Sequence, residues 1–130
     1  MLLQLETEIL VASLLEQQPG VVTVIQSELN GPEDKRGIDL TVFLDPEIHG
    51  VDIVTIQVKS RREEIQRFRK KLSKREGIER EHVADWLRAN KFIVLNGRLA
   101  SALLLERFNN GLRSIVQYEQ ESVKEIQIFP

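Results

Sequence analysis

Thr55, Gln57 and Lys59 alternate with Val54, Ile56 and Val58 in the stretch Val51–Lys59. Such alternation belongs to a strand, with odd-numbered side chains here on one face and even-numbered ones on the other. A second strand-like run, Gly37–Asp45, precedes it, and Pro46–Gly50 joins the two as a five-residue hairpin loop with Pro and Gly at its ends. If the hairpin is symmetric about Ile48, paired positions sum to 96, so Phe43 faces Ile53 and Asp39 faces Gln57. Their Cβ atoms would then lie roughly 5 Å apart, with Lys59 one pleat further along. A slip of one residue would send Asp39 and Gln57 to opposite faces. A carboxylate, an amide oxygen and an ammonium gathered in this way supply what hydrolysis of a phosphodiester needs, which is charge neutralisation and an aligned water.

The remaining elements must hold that hairpin in place. Leu2, Leu3, Leu5, Ile9, Leu10, Leu14 and Leu15 recur at helical spacing, and Gln18-Pro19-Gly20 stops the helix. On that helix Glu6 falls near the centre of the apolar face and Glu8 on the opposite side, so Glu6 is the carboxylate expected to reach the hairpin. Glu16 and a rotated helix are the alternatives. Val21–Ile25 reads as a strand leaving for a turn at Asn30-Gly31-Pro32. Ile65, Phe68 and Leu72 mark a charged helix, Gly77 interrupts it, and Val83, Trp86 and Leu87 continue in a second helical stretch. Phe92–Leu95 reads as a buried strand ended by Asn96-Gly97, and Leu99–Phe108 as a helix ended by Asn109-Asn110-Gly111. Arg113–Tyr118 and Val123–Phe129 alternate like further strands. The order α-β-β-β-α-β-α with C-terminal strands predicts one α/β (α+β) domain over residues 1–130, a mixed sheet flanked by helices.

Composition narrows the chemistry. With 42% hydrophobic and 29% charged residues the chain is globular, and its short apolar runs predict no membrane span. The opening MLLQLETEIL has neither the basic region nor the cleavage site of a signal peptide, so the cytoplasm is the expected compartment. Absence of cysteine removes disulfides and thiolate metal sites, and His49 and His82 alone offer imidazoles. No phosphate loop, dinucleotide fingerprint or Ser/His/Asp order is present, and no small-molecule cofactor is expected. Net charge is −2, yet Lys59–Arg75 holds nine of the 18 basic residues against Glu63 and Glu64, leaving +7 there and −9 elsewhere. Such asymmetry suits phosphate contacts.

The order of parts resembles the PD-(D/E)XK nuclease superfamily, the restriction-endonuclease-like fold. A helix bearing Glu6 is followed by a strand, a strand opening Gly37-Ile38-Asp39-Leu40, a hairpin, a strand ending Gln57-Val58-Lys59, and a helix. The resemblance covers roughly the first 75 residues and the following helix–strand pair. Gln57 departs from it, standing where the family usually has aspartate or glutamate. The resemblance implies that Asp39 is the principal metal ligand, with Gln57 and the Val58 carbonyl supplying neutral oxygens to Mg²⁺ or Mn²⁺. It implies that Lys59 orients the attacking water and offsets transition-state charge, and that Glu6 holds the metal shell. With one carboxylate fewer, a single weaker metal site is expected. The implied function is Mg²⁺-dependent DNA endonuclease activity of the mobile-element, resolvase or restriction type, acting alone or as a homodimer. Arg61, Arg62, Arg67, Arg69 and Lys70 would then track the nucleic-acid backbone.

Plainer readings stand beside each of these. Asp39 alone is a common strand-entry residue, and the basic run has a packing reason to be helical in Ile65, Phe68 and Leu72. Trp86 reads as core or interface rather than a stacking platform, and His49, Asp45 and Asp52 as loop residues. The rivals are a catalytically inactive module of the same fold that binds nucleic acid or protein, and an unrelated α/β domain with a basic helix.

Overall fold

The β-branched and aromatic runs of the chain become four strands: β1 (Val21–Gln26), β2 (Leu40–Leu44), β3 (Ile53–Lys59) and β4 (Phe92–Asn96). The computed structural model describes residues 2–28, 31–32 and 37–128, so Asn30 of the expected turn and Phe129 lie outside the described residues. One mixed sheet forms in the order β1-β2-β3-β4, antiparallel at the first two contacts and parallel between β3 and β4. A parallel neighbour requires a crossover. Helix α3 (Arg62–Glu76), a 3₁₀ turn (Arg80–His82) and helix α4 (Val83–Ala89) supply it. Helices α1 (Leu2–Glu16), α2 (Pro46–His49) and α5 (Ser101–Ile128) complete the mixed α/β fold.

The period-2 pattern of β2 and β3 fixes which face each side chain takes. Leu40, Val42, Val54, Ile56 and Val58 are wholly buried with Val11 and Leu15 of α1 and Leu104, Phe108 and Leu112 of α5. The opposite face carries a smaller core of Phe92 with Leu72, Val83 and Leu87, against which Phe68 and Trp86 pack. Observed pairs Leu40↔Ile56, Thr41↔Thr55, Val42↔Val54 and Phe43↔Ile53 all sum to 96, the register expected from the hairpin.

Three expectations are corrected. Pro46–His49 is a short helix rather than an open loop. Asp45 accepts the Glu47 N–H at 2.9 Å as its N-cap, Pro46 occupies the first turn, and Gly50 closes it at φ 75°. His49 Nε2 lies 2.8 Å from the Pro19 carbonyl, tying α2 to the turn after α1. Second, regular pairing begins at Leu40, not Gly37.

The third correction is larger. Asn109-Asn110-Gly111 does not end a helix, and neither Arg113–Tyr118 nor the described part of Val123–Phe129 is a strand; both belong to the single helix α5. Leu104, Phe108, Leu112 and Ile115, each 3% exposed or less, recur at helical spacing across the supposed stop, and their burial outweighs the local turn preference. Gly111 permits close approach to the sheet, because a Cβ there would lie 2.9–3.2 Å from three side-chain carbons of Ile93. Gly111→Ala is therefore expected to destabilise the protein despite a helix-propensity gain of about 1 kcal/mol. In an Ile93→Ala background the sign reverses and the same substitution stabilises. Chemical denaturation of the four variants checks this, and a stabilising Gly111→Ala in the parent would show that α5 does not need the close approach.

Candidate active site

The site is built at the end of the β2–β3 ladder. Beyond Leu40↔Ile56, Asp39 leaves the register: it donates its N–H to the Ile56 carbonyl (2.8 Å), while its own carbonyl accepts the Ser27 N–H (2.9 Å). A residue within a regular antiparallel pair directs both groups at one neighbour, so Asp39 departs from the pleat and links β3 to the residue after β1. Its carboxylate turns along β3, and Oδ2 accepts the Val58 N–H at 2.7 Å. That bond caps a main-chain donor for which β2 no longer supplies a partner.

The carboxylate is nearly out of water, with Asp39 only 5% exposed. Burial, first of all, raises its pKa from 3.8 to about 7. The Val58 N–H opposes the rise, the charge of Glu8 and a hydrogen bond shared with it add to it, and the ammonium of Lys59 pulls it down. Asp39 therefore keeps its proton to near neutrality beside the Glu8 carboxylate, with Lys59 as the cation acting on it.

Glu8, not Glu6, is the helix carboxylate at this point. Glu6 is exposed, whereas Glu8 is half-buried and its Oε2 accepts from Gln26 Nε2 at 3.3 Å. The helix is turned by about half a revolution from the expected orientation, because Thr7, Glu8, Val11 and Leu15 make its inner side while Ile9 and Leu10 are 49% and 66% exposed. Leucine and isoleucine occur all round α1, so apolar periodicity carried no direction. No pattern in the sequence points to Glu8, Gln26 or Ser27.

The expected pairing of Asp39 with Gln57 is corrected: the regular β2–β3 pairs end at Leu40↔Ile56, the Asp39 N–H goes to the Ile56 carbonyl, and Gln57 pairs with Val94 of β4. It is 5% exposed, and its Oε1 is buried without a hydrogen-bond partner. Gly37, at φ 85°, covers it so closely that a Cβ there would lie 3.1 Å from Oε1 and 2.9 Å from the Phe68 ring. The amide thus lies toward the α3 side of the sheet, while the Asp39 carboxylate reaches α1. Ser27 Oγ is a second buried oxygen without a partner, next in the chain to the Gln26 that holds Glu8. An orphaned acceptor in a native interior calls for an unseen water or ion.

Lys59 is half-buried at the end of β3, where it pairs with Asn96 and its carbonyl accepts the Gly97 N–H at 2.8 Å. Arg61 and Arg62 follow at the entry to α3, and with Arg67, Arg69 and Lys70 they are exposed. The chain thus brings Asp39, Glu8, Lys59 and the Val58 main chain together, leaves the Gln57 amide on the α3 side of the sheet, and leaves Glu6 outside. Among the described residues the one cluster of three ligand-type side chains is Glu79, Glu81 and His82, exposed on the 3₁₀ turn and separate from this set. No described helix is long and apolar enough to cross a membrane.

Comparison with known proteins is silent: no family model, no curated protein and no solved structure matches the chain.

Proposed function

We propose that this protein is a Mg²⁺-dependent DNA endonuclease whose site consists of Asp39, Glu8 and Lys59. One observation carries the reading: the buried carboxylate of Asp39 and the half-buried carboxylate of Glu8 lie side by side next to Lys59. Buried like charges are unfavourable unless a cation balances them, and an oxygen-only donor set of this kind suits a hard divalent ion. Asp39 and Glu8 would hold Mg²⁺ or Mn²⁺, with the Val58 carbonyl as a neutral candidate, while Gln57 Oε1 lies on the α3 side of the sheet. The ion, when bound, supplies Lewis-acid stabilisation of phosphoryl charge.

The chain's own groups account for the remaining tasks. The Val58 N–H and the Glu8–Gln26 contact orient the two carboxylates before substrate arrives. Lys59 positions the attacking water and offsets charge developing on the phosphate. Arg61 and Arg62, directly beyond it, draw the backbone toward the site. A homodimer is part of the reading, since cutting two strands needs two sites, and the outward side of α1 exposes Leu5, Ile9 and Leu10. A cytoplasmic setting completes it.

Branched, single-stranded and duplex DNA incubated with Mg²⁺ or Mn²⁺ provide the test. Wild type is expected to cleave at least one form, and Lys59→Ala to lower the rate about a hundredfold with binding retained. Absence of cleavage in every form would favour a silent nucleic-acid-binding module, in which Asp39 is only the cap of Val58.

A further inference from the structure

Along the outer side of α3 runs a groove of about 550 Å³, lined by Glu63, Gln66, Arg67, Arg69 and Lys70 and closed by Arg80 of the 3₁₀ turn. Val83, 1% exposed, forms its floor and anchors the turn in the smaller core. Gly77 makes the arrangement possible: at φ 64° it ends α3 and folds the chain back, so Arg80 comes beside a residue ten positions earlier, Lys70. Arg80 lies outside the basic run Lys59–Arg75, and periodicity does not connect it to α3.

Four cations face one carboxylate here. Glu63 stands four residues before Arg67, the spacing at which helical ion pairs form. Even so, among the described residues none of Arg67, Arg69, Lys70 and Arg80 has a carboxylate within 4.0 Å; the described pairs join other residues. Like charges gathered without internal neutralisation repel one another, and a polyanion relieves that repulsion while releasing its own counterions. Arg67 and Lys70 are about 4.5 Å apart along the helix axis, and Arg80 reaches in from a separate element. This is an extended track rather than a cup for one phosphate. The lining includes no aromatic ring, and Trp86 is turned to Phe92 in the core at 6.3 Å. The groove therefore has charge for a backbone and no surface for stacking bases.

We propose that this groove seats the sugar–phosphate backbone of a nucleic acid, with Arg67, Lys70 and Arg80 contacting phosphates, and that it does so without reading sequence. The proposal rests on the nuclease reading for its substrate class and extends it by a binding track separate from the residues that act on the scissile bond.

Fluorescence anisotropy of the full chain with two labelled duplexes of unrelated sequence, in EDTA so that no cleavage occurs, tests it. Affinity is followed between about 50 and 200 mM salt for wild type, Arg80→Gln, the triple variant Arg67→Gln/Lys70→Gln/Arg80→Gln, and a control on α5, Arg107→Gln. All substituted side chains but Arg80's lie on exposed helix surface and Arg80 is itself exposed, so melting temperatures should match wild type. Arg80→Gln should weaken binding several-fold, and the triple variant about a hundredfold with a log–log salt slope shallower by about 3. Both duplexes should lose equally. A triple variant that binds as wild type does, a control that loses as much, or a wild type that binds neither duplex would overturn the groove. Groove-dependent binding without cleavage keeps the groove and removes the nuclease; cleavage with binding indifferent to the triple variant does the reverse.

Discussion

Asp39→Asn is expected to raise the melting temperature at pH 8 by several degrees and, on the proposed nuclease reading, to reduce phosphodiester cleavage at least about a hundredfold. Asparagine keeps an oxygen for the Val58 N–H and removes the charge that burial and Glu8 oppose. The folded-state pKa of about 7 lies above the ordinary 3.8, so between those values the native protein holds more protons than the unfolded chain. Stability therefore declines as pH rises from about 4 to 7, and above 7 the full cost of an ionised buried carboxylate is present, on the order of a few kcal/mol. Wild type and Asp39→Asn should melt together near pH 4 and separate progressively toward pH 8. If the pair binds a divalent ion, Mg²⁺ should raise the wild-type melting temperature more at pH 8 than at pH 6, where protons compete for Asp39. It should leave the variant unmoved. An Asp39→Asn protein less stable than wild type at pH 8, or one that cleaves normally, would refute this account of the site.

Gly97→Ala should act on the same site from a distance. Gly97 follows β4 and lies against α1: a Cβ there would overlap the Thr7 methyl and lie 2.9 Å from Val58 Cγ1. Both neighbours matter, since Thr7 precedes Glu8 and Val58 donates to Asp39. Val58 is fully buried and cannot yield, so α1 must shift outward, which costs about 1–3 kcal/mol as overpacking does. The displacement carries Glu8 away from Asp39. Misplacement of a catalytic group by a fraction of an ångström lowers rates tenfold or more, so on the proposed nuclease reading cleavage should fall further than the stability loss alone would cause. The Asp39-dependent pH slope of stability should also flatten as the Glu8 charge recedes. Thr7→Ser removes the overlapping methyl and should restore part of both properties in the double variant. Denaturation and single-turnover cleavage measure the two effects. Normal activity in a destabilised Gly97→Ala would show that α1 does not position the site.

How much of this was legible beforehand depended on whether the signal was local. The β2–β3 register was readable because a strand's period is 2 and the turn chemistry of Pro46 and Gly50 sets where the chain reverses. That Pro46–His49 coils into a helical turn changed nothing in the register. The basic character of α3 was readable from composition, as was its packing stripe of Ile65, Phe68 and Leu72. Asn109-Asn110-Gly111 has the local turn propensity of a helix end, and only packing against the sheet overrides it. Ile93 is a neighbour only in space, and it is the contact that explains a glycine in mid-helix.

The sequence by itself determined the mixed α/β layering, the β2–β3 register from Leu40↔Ile56 to Phe43↔Ile53, and the placement of positive charge directly after Lys59. Each follows from side-chain period or from residues adjacent in the chain. Tertiary structure alone decided that α1 presents Glu8 and exposes Glu6, that Gly37 seals the Gln57 oxygen from water, and that Arg80 joins Arg67 and Lys70. A helix apolar on every side has no preferred rotation of its own, and a buried oxygen or a shared groove exists only where distant segments meet. Packing against the sheet makes those choices because it selects the rotation and the turn that bury the most surface with the fewest clashes.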